Sequence, residues 1–177
     1  KCQVYKSKAS DFEDSKASVL GEFIPSKLGF EQDEKPLCMV MTTDYTGFMM
    51  FFFENGKAAK VNMQGYDTKT NRKKLIKAYS DKSPLVAAFY EKEDVEYVLN
   101  STAGRGLLVN TGAISIKTTK DTAGVNVMTL KKYHKLQSVR YYVEGEFSKP
   151  YRYRTKTLPA AGATLSADDT AEQLSLE

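Results

Sequence analysis

Apolar and polar residues alternate along this chain in short runs divided by glycine, asparagine and aspartate. That is the pattern of β-strands joined by tight turns. Residues 1–6 alternate and read as a strand. Residues 7–35 are polar, with one apolar island at 19–24. Residues 37–43 read as a strand and 44–47 as a turn. Residues 48–54 read as a second strand, apolar at every position before Glu54. An unbroken apolar run of this kind belongs to an interior strand buried on both faces. Asn55-Gly56 predicts a two-residue hairpin turn, because both residues tolerate positive φ, and residues 57–63 make the third strand.

The cycle then repeats. At an offset of 48, Pro36 meets Pro84, Leu37 meets Leu85, Gly56 meets Gly104, Val61 meets Val109 and Asn62 meets Asn110. Lys57 meets Arg105, so charge is kept where identity is not. The matches sit at turns and strand starts, where register is decided. A period of this length predicts a blade, a solenoid coil or an array. The second cycle reads as strands at 85–90, 95–102 and 105–111, with a charged turn at 91–94 and another at Ala103-Gly104. Short strands follow at 113–117 and 125–130, around a turn at 121–124. Residues 136–143 open a third cycle, which turns at 144–146 and ends in a polar, aromatic strand at 151–156. The connection 64–83 contains Asn71-Arg72-Lys73-Lys74-Leu75-Ile76-Lys77, a short helical turn or another strand. The expected class is all-β, an array of about three four-stranded antiparallel blades at 1–63, 64–111 and 112–159. Residues 160–177 offer little to bury and are expected to form a disordered acidic tail.

Charge changes the picture more than composition does. The net charge of +4 over 177 residues conceals an asymmetry. Residues 1–56 carry six Lys/Arg against nine Asp/Glu, and residues 57–160 carry twenty against nine, a balance of +11. Residues 161–177 hold four acids and no base. A basic body with an acidic end points to a polyanionic partner and to competition for it by the tail, where Asp168, Asp169 and Glu172 lie. One histidine and the distant Cys2 and Cys38 do not make a zinc site. Both cysteines are expected reduced, as small apolar fillers in a cytoplasmic setting. No run approaches the length of a membrane helix. No signal-peptide pattern opens the chain, and a start at Lys1 suggests processing or excision from something longer. No phosphate-binding glycine loop ends in Gly-Lys-Ser/Thr, Gly104-Arg105-Gly106 being too short. His134 lacks a nucleophile or carboxylate beside it. No enzyme is therefore expected in this chain alone, and no cofactor.

Residues 48–61, FMMFFFENGKAAKV, resemble the blade hairpin in the C-terminal domain of bacterial type IIA topoisomerase A subunits, those of DNA gyrase and topoisomerase IV. Residues 99–109 follow the same order of apolar strand, glycine turn and basic-apolar strand. Gly65-Tyr66-Asp67 with Asn71-Arg72-Lys73-Lys74, and residues 118–128, resemble that family's links between blades. The resemblance covers about residues 1–157. It implies a β-pinwheel, a propeller-like ring whose blades exchange strands, with a basic rim that bends and wraps duplex DNA. It also implies a parent isomerase in which ATP and magnesium are used elsewhere, with the rest of the A subunit and the ATPase B subunit as partners. Two features depart from the family. The family domain has five or six blades, and the seven-residue box Gln-Arg-Arg-Gly-Gly-Arg/Lys-Gly is absent, Ala103-Gly104-Arg105-Gly106 being the nearest match. None of the eleven tyrosines is assigned the strand-cleaving role, which in that family lies outside the C-terminal domain.

Wrapping a duplex needs cations spread along a curved surface, because each one that neutralises a phosphate releases counterions. The candidates are Arg72, Lys73, Lys74, Lys77, Arg105, Lys117, Lys120, Lys131, Lys132, Lys135, Arg140, Arg152, Arg154 and Lys156. In residues 151–154, aromatic and cation alternate, so a strand there would set Tyr151 and Tyr153 on one face and Arg152 and Arg154 on the other. Glu91, Glu93, Asp94 and Glu96 read as solvated turn residues that keep nucleic acid off their side. Two other readings stay open. One is a protein–protein scaffold that uses strand edges. The other is a barrel-type binder of single strands, stacking bases on Tyr151 and Tyr153.

Overall fold

The computed structural model describes residues 2–68 and 72–169. The unbroken apolar run is β2 (Phe48–Phe53), buried at all six positions. It returns as β3 (Lys57–Asn62), with Met50 opposite Lys60 and Phe52 opposite Ala58. Only Gly56 in the connection takes a positive φ, +79°, and its N–H donates to the Phe53 carbonyl at 3.0 Å. The hairpin is therefore closed by a three-residue loop, 54–56, that ends in a left-handed glycine, not by the two-residue turn expected of Asn55-Gly56.

The remaining strands are short. They are β1 (Val4–Tyr5), β4 (Lys74–Leu75), β5 (Leu85–Glu91), β6 (Glu96–Ser101) and β7 (Arg105–Asn110). After them come β8 (Ile116–Lys117), β9 (Val125–Asn126), β10 (Leu136–Tyr141) and β11 (Ala163–Thr164). One five-residue helix, α1 (Ile24–Leu28), lies in the polar connection that follows β1. The strands form three sheets: β1-β4, then β5-β2-β3 flanked by β8 and β9, then β10-β6-β7-β11.

Strands cross between repeats. β5 opens the second cycle, yet it lies antiparallel on β2 of the first, with Phe89 opposite Met50. β10 opens the third cycle and lies antiparallel on β6 of the second, with Arg140 opposite Val98. Each sheet therefore draws strands from across the ranges 1–63, 64–111 and 112–159. The outer edge repeats as faithfully. Lys60 pairs in parallel with Ile116, and Leu108 with Arg154. Ala58 pairs antiparallel with Val125, and Gly106 with Ala163. The glycines that precede these outer pairs are also matched: Gly124 and Gly162 have φ of +75° and +69°. A Cβ there would lie 2.3 Å from the Ala58 carbonyl oxygen and 2.4 Å from that of Gly106. Both sites need glycine twice over, for conformation and for close backbone approach.

Alternation along β2 feeds two cores. Phe48, Met50 and Phe52 pack with Tyr97, Leu99, Leu107 and Val109 of the third sheet. Met49, Phe51 and Phe53 pack with Val61, Tyr66, Leu75 and Ala78 on the other side. The central sheet is thus sandwiched, which is why its middle strand carries no polar residue. The far face of the third sheet, Val98 and Leu108, is covered by Phe147 and Tyr153 instead of a further sheet.

Three expectations fail. Residues 37–43 form no strand, and Leu37, Met39 and Met41 are 68%, 81% and 80% exposed. Residues 151–156 form no alternating strand. Pro150 fixes the backbone for a 3-10 turn, Pro150–Arg152, after which Tyr153 turns inward while Tyr151 stays 70% exposed. The expected tail begins too early, because residues 160–169 are packed chain: β11 adds to β7 and Asp169 is 1% exposed. Residues 170–177 of that tail, with Glu172, lie outside the described residues, as do Lys1 and Asn71 of the readings above. Cys2 and Cys38 are free, and Cys38 is exposed and so fills no core.

Candidate nucleic-acid interface

The outer edges of the sheets position most of the candidate cations. On the first sheet, β4 holds Lys74 between Arg72, Lys73 and Lys77, and Lys6 N–H donates to the Lys73 carbonyl at 2.7 Å. On the central sheet, β8 places Lys117 opposite Val61, with Lys120 three residues on. On the third sheet, Arg154 pairs with Leu108, flanked by Arg152 and Lys156. The central and third sheets therefore present cations at one place in the repeat, on the outer segment parallel to β3 and β7, and the first sheet presents them on its antiparallel strand β4. Lys131, Lys132 and Lys135 lie between β9 and β10.

Partners divide the set. Among the described residues, Arg72, Lys73, Lys77, Lys117, Lys131, Lys132, Arg152 and Lys156 are exposed and make no salt bridge, although Lys73 acts on the Asp11 carboxylate at longer range. The other six are engaged. Lys74 pairs with Glu31 at 2.7 Å and Lys135 with Glu54 at 2.8 Å. Arg140 pairs with the buried Glu146 at 2.5 Å. Arg154 grips both oxygens of Glu96, with contacts of 2.8 and 3.0 Å, and lies over the Tyr142 ring. Arg105 Nε donates to the Ala161 carbonyl at 3.2 Å and Lys120 Nζ to that of Gly65 at 2.9 Å. The hydrogen bond from Arg154 to Glu96 raises the Arg154 pKa, and that from Lys74 to Glu31 raises the Lys74 pKa. These six hold loops and edges in place before they serve any ligand.

Three acids of the 91–96 segment, Glu91, Asp94 and Glu96, are engaged as well, contrary to a solvated turn, while Glu93 is exposed. Asp94 accepts from Lys60 at 2.7 Å and from Thr111 Oγ1 at 2.7 Å, and these bonds lower its pKa, Lys60 foremost. Lys60 is buried, lies over the Phe48 ring and also donates to the Thr111 carbonyl. Glu91 accepts from the Tyr97 and Tyr141 hydroxyls at 2.6 and 2.5 Å. Tyr153 is 1% exposed and donates to Asp169, so it offers no face for stacking a base. His134 Nδ1 lies 3.1 Å from Thr102 Oγ1, a turn contact. Among the described residues no group of three His, Cys, Asp or Glu side chains could hold a metal. Lys82 and Lys149 escaped the sequence reading although both are exposed. Each stands alone beside a turn, with no run of charge to draw notice.

No family model and no curated protein matches the chain. Solved structures do. The C-terminal domain of a DNA topoisomerase IV superposes with a TM-score of 0.69 at 21% identity, over 82% of this chain and 46% of that one. A DNA gyrase A C-terminal domain gives 0.62 at 17%, over 92% and 56%. This protein has the β-pinwheel fold. The C-terminal domain of E. coli ParC also matches, at 0.53 and 9% identity, over 74% of this chain and 59% of that one. The pinwheel described here spans about half the length of these neighbours. Its crossing strands β5 and β10 are the exchange between blades that the resemblance implied. Among the described residues, no helix of the pinwheel is long and apolar enough to cross a membrane.

Proposed function

We propose that this pinwheel binds duplex DNA through its phosphates and bends it, as the C-terminal module of a type IIA topoisomerase A subunit. The observation that carries the reading is the repetition of cationic edge segments, 72–77, 117–120 and 152–156, on three consecutive sheets. A stiff polyanion laid across the sheets would meet one such segment per blade. Contacts of this kind fix position without reading bases. The module would present one duplex to a strand-passage gate elsewhere in its parent, in the cytoplasm. Catalysis, ATP and magnesium would belong to the remaining A subunit and to the B subunit.

The test is binding to a labelled 30-base-pair duplex, by retardation or anisotropy, across a salt series. Each neutralised phosphate contributes about 0.9 to the slope of log K against log salt, so eight unpaired cations predict a slope of about −7. A slope shallower than about −2, or no binding at low salt, would reject the proposal. The scaffold reading predicts that charge reversal at Arg72, Lys73 and Lys77 leaves the main interaction intact.

A further inference from the structure

The turn between β9 and β10 holds a tyrosine in a conformation that the packing of the fold does not explain. His134 N–H donates to the Lys131 carbonyl at 3.0 Å and closes a four-residue turn. Tyr133, third in that turn, has a φ of +66°. Glycine or asparagine is favoured at such a place, because a Cβ in left-handed backbone crowds the following carbonyl oxygen. Tyr45 also has a positive φ, but its ring packs on the core that holds Met49 and Phe51, beneath Lys6. Tyr133 belongs to none of the three cores and is 91% exposed. Its ring lies under the Lys132 ammonium, 4.9 Å from the centroid.

The turn is firmly mounted on both sides. Thr102 N–H donates to the Lys135 carbonyl at 2.9 Å, and Lys135 N–H donates back to Thr102 Oγ1 at 3.1 Å. His134 Nδ1 lies 3.1 Å from the same oxygen. Leu136 N–H donates to the Glu54 carbonyl at 2.9 Å, and Lys135 Nζ meets the Glu54 carboxylate at 2.8 Å. On the β9 side, Val127 and Met128 N–H both donate to the Gly56 carbonyl at 3.0 Å. The turn is thus tied to the loops 54–56 and 102–104, at the hairpin end of the central sheet. Its chain continues, through β9, the outer edge that carries Lys117 and Lys120. Lys131 and Lys132 precede the ring, and both are exposed. A tip held in this way loses little further freedom when it meets a ligand.

We propose that Tyr133 is a wedge that inserts its ring at a base step of the duplex, while Lys131 and Lys132 hold the phosphates beside it. The inference rests on the duplex-binding reading above and adds to it one contact with the bases. An inserted side chain unstacks one step and kinks the helix there, and pyrimidine–purine steps yield most readily. An aromatic ring recovers part of the lost stacking, since every base has a π-face. The wedge would fix where the bend falls and would favour TA steps without hydrogen bonds to base edges.

The experiment compares wild type, Tyr133→Phe and Tyr133→Gly on two duplexes of equal length and base composition, one with TA steps a helical turn apart and one with none. Affinity is read by anisotropy, and unstacked thymines by permanganate oxidation. We expect wild type and Tyr133→Phe to bind the TA duplex about 10-fold tighter than the other and to raise thymine oxidation at its TA steps. Tyr133→Gly should lose both the preference and the oxidation pattern, keep the salt slope, and melt about 2–4 °C higher as the left-handed position is relieved. A tyrosine with only a structural role would leave the oxidation pattern unmoved. Equal affinities and patterns in all three proteins, with the salt slope intact, would overturn the wedge and leave the duplex reading standing. A glycine variant that melts below wild type would also overturn it, because the ring would then be supporting the fold. Failure of wild type to bind either duplex at low salt would overturn both readings. Tighter binding of a single strand, lost in Tyr133→Gly, would assign the ring to unpaired bases and refute insertion into a duplex.

Discussion

Asp169 is the last described residue, and its removal should loosen the whole C-terminal cap. The carboxylate accepts from Ser148 N–H and Oγ at 3.0 and 3.1 Å, from Tyr153 Oη at 2.5 Å and from Ser166 Oγ at 2.6 Å. Hydrogen bonds to a charged group contribute about 1.5–3 kcal/mol each, and an orphaned buried hydroxyl costs about 1–3 kcal/mol. The four bonds are not additive, because Ser148 and Ser166 can turn to water once the carboxylate is gone. Tyr153 cannot, at 1% exposure. Asp169→Ala should therefore cost about 3 kcal/mol, and Asp169→Asn, which keeps one acceptor, about half of that. At this chain length each kcal/mol lowers Tm by roughly 2–4 °C, so the alanine variant should melt about 6–12 °C lower by calorimetry. Burial alone would raise the carboxyl pKa. The bonds from Ser166, Tyr153 and Ser148 outweigh it and hold it at about 2, below its ordinary 3.8. A depressed pKa stabilises the fold fully above the unfolded value and ceases to do so as pH falls through the folded one. The gap between wild type and Asp169→Ala should stay constant from pH 7 to about 5 and narrow between pH 4 and 2. A Tm change under 2 °C, or a gap at pH 2.5 equal to that at pH 7, would refute this account of the cap.

Three further outcomes are expected. Gly124→Ala and Gly162→Ala should each lose about 2 kcal/mol or more in urea melts, from a positive φ and a carbonyl inside 2.5 Å of the new Cβ. Gly21→Ala, which meets nothing within 4 Å, is the control and should change little. Lys60→Met should cost about 2 kcal/mol, since Asp94 and the Thr111 carbonyl both lose a charged donor; a variant more stable than wild type would mean that burying the ammonium costs more than its bonds return. Replacing Arg72, Lys73 and Lys77 together by alanine should make the DNA salt slope about 2.7 units shallower, whereas Lys135→Ala and Arg154→Ala should lower stability and leave the slope unchanged.

How much of this was legible in the sequence depended on how far each signal reaches. β2 was readable because an apolar run with no polar break has one stable place, between two packed faces. The 48-residue repeat was readable because turn glycines and strand starts recur whatever lies between them. Residues 37–43 carry the same local signal as β5, yet only β5 forms a strand. Strand formation is decided by an edge to pair with, and that edge lies outside the local sequence. Residues 160–169 looked disordered because composition weighs apolar bulk. What holds them is a carboxylate, three hydroxyls and two residues added to β7. The sign of the charge balance was likewise legible, but its division was not. Arg154 belongs to Glu96 and Lys135 to Glu54, 58 and 81 positions away. Spacing along the chain says nothing about such pairs.

That division bears on how strongly the proposed module could deform its partner. Sequence-independent binding at physiological salt has a Kd of about 10⁻⁴–10⁻⁶ M, or roughly 5.5–8 kcal/mol of binding free energy. Smoothly bending a site of 20–30 base pairs through 40–90° costs about 1–6 kcal/mol. If all fourteen candidate cations met phosphates, the surplus would be ample. Six of them are already bound to carboxylates or backbone carbonyls, and freeing one forfeits the contact that shapes its own edge. Eight unpaired cations leave a balance that covers a shallow bend and little more. On the proposed reading, the segments 72–77, 117–120 and 152–156 therefore set a direction for the duplex, while closing a tight wrap calls for more phosphate contacts than these sheets supply.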